Sequence, residues 1–150
     1  MRISPRRRSR ELAMQGIYQW LFTGATAGVV LKNLSELDHF KSADADFLKS
    51  ELKGTIGEAV GLQARLEPLA DRKWAEVSPV ERAILLIGAW ELVHNQEIPY
   101  KVTINEAIEL GKRFGGTDGH KYVNGILDKL AEAVRPEEVA EKRRQKRNGQ

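Results

Sequence analysis

SPVERAILLIGAWELVHN, residues 78–95, is the most apolar helical stretch of the chain and decides its fold. Ser78 is a favourable N-cap, Pro79 suits the first turn, and Glu81 completes a capping-box pattern. The apolar side chains that follow fall on several sides of the helix. A helix that is apolar almost all round is buried, so we expect this segment at the centre of the molecule.

The flanking segments also show helical periodicity, and no alternating strand pattern competes with it. Residues 5–23 carry an apolar stripe and end at Gly24, a residue suited to a helix C-terminus. The stripe consists of Ala13, Ile17, Trp20 and Leu21. Further helices are predicted over about 27–39, from Asp44 to near Pro68, over 103–114 and over 118–134. We therefore expect an all-α fold of six to seven helices in a single domain, residues 1–135.

The ends of the later helices carry their own signals. Thr103 and Glu106 match a second capping box, and Gly115 with Gly116 is suited to end that helix. Asp118 is the natural cap of the next one. Beyond Pro136 the chain is highly charged, so residues 136–150 are expected to be a basic, flexible tail, either frayed helix or disordered.

The net charge of +3 hides a strong asymmetry along the chain. Residues 1–10 hold five arginines and no acid, and residues 141–150 hold five Lys or Arg against Glu141. The remaining 11–140 carry 14 basic and 20 acidic residues, a net −6. Basic ends commonly meet nucleic acid, and an acidic body suits a basic protein partner.

The composition excludes several classes of protein. The chain has no cysteine, which rules out disulfides, thiolate zinc sites and a cysteine nucleophile. No apolar run approaches the ~20 residues of a membrane span, and the N-terminus lacks the pattern of a secretory signal. A cytoplasmic protein that does not contact membranes is expected.

The sequence shows no convincing combination of catalytic residues. His39, His94 and His120 show no metal-ligand spacing. The glycines of GGTDG, 115–119, follow no strand and lack the P-loop spacing. We therefore expect neither an enzyme nor a bound cofactor or metal, and look instead for binding surfaces.

The cluster Arg6, Arg7, Arg8 and Arg10 is the first candidate surface. Cations near a helix N-terminus typically cost ~0.3–1 kcal/mol each when exposed. One interpretation is a solvated start, with the helix beginning only at Glu11. The other is contact with the phosphates of a nucleic acid, which would offset the unfavourable position.

Two tyrosines are further candidates. Tyr18 lies outside the tightest apolar stripe of its helix. Tyr122 lies beside Lys121 near the start of its own helix, where an aromatic flanked by a cation suits a stacking platform for single-stranded RNA. A half-buried tyrosine such as Tyr18 is commonplace, and for Tyr122 packing at the edge of the core is an equally good interpretation.

Three separated motifs resemble one known family. IPYKVTINEAIELGKRFGGTDGHKYVNGILDKL, residues 98–130, closely resembles the C-terminal signature of the NusB family of bacterial transcription antitermination factors. RRRSRELAMQGIYQW, 6–20, is similar to the family's opening helix, and VERAILLIGAWEL, 80–92, to its central helix. The resemblance spans essentially residues 5–135. It implies two small helical bundles packed together and an RNA-binding adaptor rather than an enzyme.

The resemblance also implies binding residues. It assigns RNA contact to the arginine-rich start and to the beginning of the helix after Asp118, that is, to Arg6, Arg7, Arg8, Arg10, Asp118, Lys121, Tyr122 and Asn124. It assigns contact with ribosomal protein NusE to Tyr18 and Glu81, with Glu76 and Arg82 as further candidates. For Asp118 we favour helix capping as the main task, with acceptance from a base amino group as the alternative.

The implied partners are boxA-containing RNA, NusE, other Nus factors and RNA polymerase, with ribosomal RNA operons as the notable setting. Two rival interpretations stay open. NusB-like domains also occur fused to ribosomal RNA cytosine methyltransferases, although no room for a methyl-donor domain is expected after residue 135. A homodimer that masks the RNA surface is the other. The leading interpretation requires residues 6–10 and the helix start at 118 to lie side by side.

Overall fold

The helix predicted to be central, α5 (Pro79–His94), contacts both groups of helices that make up the fold. The computed structural model describes residues 3–149, and within them every regular element is helical. The α-helices are α1 (Pro5–Thr23), α2 (Ala27–Ser35), α3 (Ala45–Gly57), α4 (Ala59–Leu66), α5 (Pro79–His94), α6 (Tyr100–Phe114), α7 (Gly119–Val134) and α8 (Pro136–Asn148). Short 3₁₀ segments cover Asp38–Ser42, Glu67–Leu69 and Trp74–Glu76.

The helices form two groups joined through α5. The first three helices pack on one another, α5, α6 and α7 form the second group, and α1, α3 and α4 contact α5. Every residue from Ala83 to Ala89 is buried, as expected for a helix surrounded on several sides. The all-α class is therefore confirmed, with eight α-helices in the described residues rather than six to seven.

The local signals at both ends of α1 and at the start of α5 are confirmed. The Ser4 hydroxyl accepts from the Arg7 amide at 3.1 Å, Pro5 is the first helical residue, and Gly24 ends α1 at φ 65°. Ser78 caps α5 in the same way, accepting from the Glu81 amide at 3.2 Å. Because α1 begins at Pro5, all four clustered arginines are helical.

Other boundaries differ from the expectations for reasons that lie outside the local sequence. α6 begins three residues before Thr103, and the Thr103 hydroxyl is buried and donates to Glu91 instead of capping. The second helix ends at Ser35, and the third splits into α3 and α4. The predicted helix over 27–39 is thus too long, and Thr103 is not a cap.

The end of the chain also differs from the expectation of a frayed or disordered tail. Residues 136–148 form α8, which packs on α7 and buries Val139. The Arg135 guanidinium, at the junction between α7 and α8, donates to backbone carbonyls at the C-terminal end of α5. This buried contact gives the polar helix a fixed place on the domain.

None of the helices described has the length and apolar content that crossing a lipid bilayer requires.

Candidate nucleic-acid interface

The clustered arginines at the start of α1 do not share one environment. Arg6 and Arg7 are exposed, Arg8 is partly buried, and Arg10 is buried. Arg7 makes a bidentate pair with Glu106 of α6, with Nε–Oε1 3.0 Å and Nη2–Oε2 2.8 Å. The Arg6 guanidinium lies 4.6 Å from the centre of the Phe47 ring. Arg8 Nη1 donates to Glu11 at 2.7 Å.

Arg10 belongs to the interior. Its side chain is 6% exposed, and its guanidinium makes two hydrogen bonds, of 2.9 and 3.0 Å, to the Glu91 carboxylate. The expectation that Arg10 faces RNA conflicts with this burial. Arg10 lies three and seven positions before Ala13 and Ile17, so it falls on the apolar stripe of α1.

Buried carboxylates surround Arg10. Burial raises the pKa of Glu51 well above its ordinary value, helped by a hydrogen bond to Glu91 and by the negative charge of Glu91. Burial alone would also raise the pKa of Glu91, but hydrogen bonds from Glu51, Arg10 and Thr103 lower it below the ordinary value. The raised pKa favours the neutral form of Glu51 beside the Arg10–Glu91 ion pair, and a neutral Glu51 keeps the buried net charge low.

A cleft of about 220 Å³ separates the start of α1 from α6. Arg113 of α6 lies on its wall, pairs with Glu11 of α1, and has a half-exposed side chain. Lys112 lines the same cleft. The sequence pattern does not single out Arg113. The available signal was a pair of cations in the last turn of a helix, which is also an ordinary complement to the helix dipole.

Both of the predicted RNA-contacting segments contact α6. Arg7 and Glu11 of α1 pair with side chains of α6, and the start of α7 packs tightly on the last turns of α6. A Cβ built on Gly111 would lie 2.8 Å from the His120 Cα. The two segments thus flank the same helix, α6.

The start of α7 departs from the expected capping. Asp118 holds the N-cap position, but its side chain accepts no capping hydrogen bond. Its carboxylate instead lies 3.5 Å from the Lys121 ammonium, and both side chains are largely exposed. Capping is therefore not the main task of Asp118. Asn124 follows on the same helix and is half-buried.

Tyr122 is not an open aromatic face. Its hydroxyl is buried, and the Arg72 guanidinium lies over the ring at 4.1 Å from the centroid. The Arg72 side chain is 43% exposed, so the guanidinium covers one face of the ring and presents its own outer face to solvent. Arg72 is a second residue that the sequence pattern does not reveal, because it comes from the loop before α5.

The residues assigned to NusE contact also differ in exposure. Tyr18 is 38% exposed and Phe22 is 64% exposed, and their rings meet edge to face at 5.2 Å. Glu76 is exposed and Arg82 is half-buried. Glu81 is only 8% exposed, accepts from the Ser78 hydroxyl at 3.0 Å, and packs against Gly119 at the start of α7. The Glu81 side chain therefore packs inside this region and presents little surface to a partner.

Across residues 3–149, no group of three or more His, Asp and Glu side chains is placed to hold a metal ion. The candidate binding features are the exposed cations on and next to α6 and the exposed aromatic pair on α1. This arrangement defines a helical binding protein with a basic surface and a separate apolar patch.

The family comparisons agree with this class. The model of the NusB family matches residues 7–132, so the chain belongs to the NusB family. It is 54% identical over 140 residues to the transcription antitermination protein NusB of Cupriavidus pinatubonensis, covering 93% of this chain and 84% of that one. With the Thiobacillus denitrificans protein of the same name the identity is 51% over 134 residues, covering 89% and 92%. The fold matches T. maritima NusB with a TM-score of 0.78 at 27% identity, covering 93% of this chain and 99% of that one.

The particular role follows from these relatives. Proteins this similar are transcription antitermination proteins, and this chain is a transcription antitermination factor of the same family.

Proposed function

We propose that this protein binds boxA-type single-stranded RNA as a heterodimer with ribosomal protein NusE. The complex then joins other Nus factors on RNA polymerase and suppresses termination, notably in ribosomal RNA operons. The protein acts by contact and not by catalysis, in the cytoplasm where transcription takes place. The observation that carries the proposal is the set of exposed cations on the helices that flank α6.

The arginines that we assign to the RNA backbone lose little stabilising energy when they exchange a protein carboxylate for an RNA phosphate. Arg6 is exposed, and the Arg7 side chain is 44% exposed in its pair with Glu106. An exposed ion pair contributes only ~0.2–1 kcal/mol, so a phosphate can replace or share the carboxylate. Arg8 extends this surface on α1, and Lys121 adds an exposed cation at the start of α7. Arg10 is buried and fixes α1 on α5.

Base recognition falls to the start of α7 and the loop before α5. The outer face of the Arg72 guanidinium, supported from behind by Tyr122, is a planar platform on which an unpaired base can stack. Asp118 accepts from base amino groups, and the Asn124 amide both donates and accepts. Tyr122 thus contributes through Arg72 rather than as a bare ring.

NusE binds the exposed aromatic pair on α1. Tyr18 and Phe22 form an exposed aromatic pair, and aromatic residues are enriched among the anchors of protein interfaces. Glu76 and Arg82 supply polar contacts at the start of α5. Glu81 supports this region from the interior, so Glu81→Lys is a poor probe of the interface, because it would also disturb the packing on Gly119.

Fluorescence anisotropy with labelled boxA RNA tests the proposal. We expect an equimolar mixture of this protein and NusE to bind the RNA more tightly than either protein alone, and more tightly than a scrambled RNA of equal length. Tyr18→Ala should reduce NusE capture while leaving thermal stability unchanged. Equal binding of both RNAs with no gain from NusE would overturn the proposal.

A further inference from the structure

We propose that α8 and the start of α6 form a second cationic surface that binds the RNA backbone outside the boxA element. This inference rests on the proposed function for its ligand, single-stranded RNA. Most of this surface belongs to α8, which lies beyond the part of the chain that the family model matches, residues 7–132. The surface, called here the α8 track, consists of Lys101, Lys142, Arg143 and Lys146.

The first turn of α8 is anchored to the body of the protein. The Arg135 guanidinium donates to the carbonyl oxygens of Glu91, Leu92 and Asn95 at 2.9, 2.9 and 3.1 Å, and to that of Ile98 at 2.6 Å. Glu138 accepts from the first amide of α6, the Tyr100 N–H, at 2.7 Å. These contacts hold the basic side chains of α8 next to the start of α6.

A cleft of about 160 Å³ lies between α8 and the start of α6. Its wall includes all four cations of the α8 track, together with Tyr100 and a single acid, Asp128. Arg143 is paired with Glu132, but none of the three lysines takes part in an ion pair with another described residue. All three are exposed. Three exposed ammonium groups around one cleft favour an anionic ligand.

The α8 track is continuous with the arginine-rich start of α1. Arg6 lines a cleft of about 340 Å³ together with Pro99, Val102 and one acid, Glu97. Pro99 and Lys101 also line a cleft of about 180 Å³ with Lys142. Two acids share its wall, Glu138 and Glu141, and each is paired with an arginine of its own segment. The start of α6 therefore joins the two basic ends of the chain, which the sequence places more than 130 residues apart.

Continuity favours a polymer over an isolated anion. A single phosphate would occupy one cleft, whereas a strand that leaves Arg6 can pass over the start of α6 and meet the lysines of α8. Backbone contact of this kind is independent of base sequence and releases counterions. It would strengthen binding of RNA that extends beyond boxA without changing the sequence preference.

The test compares two RNAs and two variants, all in the heterodimer with NusE. One RNA has the boxA length, and the other is extended at both ends by roughly ten nucleotides, within the range that a single-strand binding surface covers. The triple variant K101A/K142A/K146A removes the three unpaired lysines. The control K32A/K53A/R65A removes three exposed cations from α2, α3 and α4. Helical content and melting temperature of each variant show whether the fold is kept.

We expect wild type to bind the extended RNA more tightly than the short one. K101A/K142A/K146A should weaken the extended complex on the order of tenfold at 0.1 M salt and make its log–log salt slope shallower by about 2. It should leave the short complex unchanged, and the control should change neither.

An extended complex whose affinity and slope are unaffected by K101A/K142A/K146A would overturn the inference and point to an acidic protein as the ligand of α8. The proposed function would stand as long as wild type still binds the short RNA. Failure of wild type to bind the short RNA would overturn the proposed function itself.

Discussion

Arg10 and Glu91 form a bidentate ion pair inside the protein, with side chains only 6% and 1% exposed. The two distances are 2.9 Å for Nε–Oε2 and 3.0 Å for Nη2–Oε1. The pair ties α1, which carries the exposed arginines, to the central helix α5. Its partner Thr103 adds α6 to the same cluster. The surface that we assign to RNA is therefore positioned by a buried charge cluster beneath it.

Removing one member of this pair should be costly. Arg10→Ala leaves the Glu91 charge buried without its cation, so the free energy of unfolding should fall by about 3–5 kcal/mol. Arg7→Ala is the matched control, because it breaks an exposed pair and should cost less than about 1 kcal/mol. Urea unfolding followed by circular dichroism measures both. Equal small losses would show that the buried pair does not hold α1 in place.

The buried Glu51 should make stability depend on pH. Its pKa is raised in the folded state above the ordinary 4.5, mainly by burial and then by Glu91. The folded state therefore keeps a proton that the unfolded chain releases, and this contribution to stability is lost as pH rises from the ordinary value through the folded one. Glu51→Gln keeps a hydrogen-bond donor and removes the titration.

We expect the unfolding free energy of Glu51→Gln to rise relative to that of wild type as pH increases above the ordinary pKa of 4.5, because in wild type the unfolded chain releases a proton that the folded state keeps. Urea unfolding across this range measures the difference. Glu36→Gln, at an exposed glutamate, is the control and should track wild type. A constant offset between Glu51→Gln and wild type at every pH would contradict the assignment of a neutral Glu51.

Gly54 is required by close packing between α3 and α5. A Cβ at this position would lie 2.1–2.4 Å from atoms of the Trp90 indole. Gly54→Ala should therefore lower the unfolding free energy by about 1–3 kcal/mol. Gly61→Ala, in the middle of α4 with nothing within 4 Å of the new methyl, should stabilise by up to about 1 kcal/mol. Thermal melts compare the two; a neutral Gly54→Ala would refute the contact.

Arg135 should stabilise the junction of α5, α7 and α8. Its buried guanidinium donates to four backbone carbonyls at and just beyond the C-terminal end of α5, and Arg135→Ala should cost at least about 2 kcal/mol of unfolding free energy. Arg135→Lys should recover only part of this free energy, because an ammonium group lacks the planar set of N–H donors with which the guanidinium contacts several carbonyls at once. Full recovery by lysine would mean that charge alone accounts for the contact.

The elements predicted well from sequence are those whose ends are set by adjacent residues. Ser4, Pro5 and Gly24 bound α1, and Ser78 with Pro79 starts α5, because caps act within one turn. The errors arise where contacts between residues distant in sequence determine the local structure. Thr103 hydrogen-bonds to Glu91 across a helix interface, so no local capping rule could place it.

The packed position of helix α8 was also not predicted, because the contacts that fix it involve residues distant in sequence. Its composition is that of a solvated segment, and one buried apolar residue, Val139, hardly registers in a hydropathy pattern. Its position depends on Arg135 and Glu138, which contact residues about 40 positions earlier in the chain. Sequence periodicity carries no information about contacts of this range.

For the candidate site, the sequence identifies the segments but not the exposure of each side chain. The run of arginines is visible, yet the spacing of Arg10 to Ala13 and Ile17 was the only sign that it turns inward. Arg72 and Arg113 reach the surface through tertiary packing and carry no motif of their own. The pairing of Arg72 with Tyr122 replaces the simpler picture of an open tyrosine ring.

The salt dependence of boxA RNA binding by the heterodimer with NusE tests the central claim most directly. Four exposed or partly exposed cations, Arg6, Arg7, Arg8 and Lys121, should contribute about −2.8 to the log–log slope of affinity against salt. The variant R6A/R7A/R8A should make the slope shallower by about 2.1 and weaken binding, while K32A/K53A/R65A should match wild type. A slope that R6A/R7A/R8A leaves unchanged would contradict the claim that the start of α1 binds the RNA backbone.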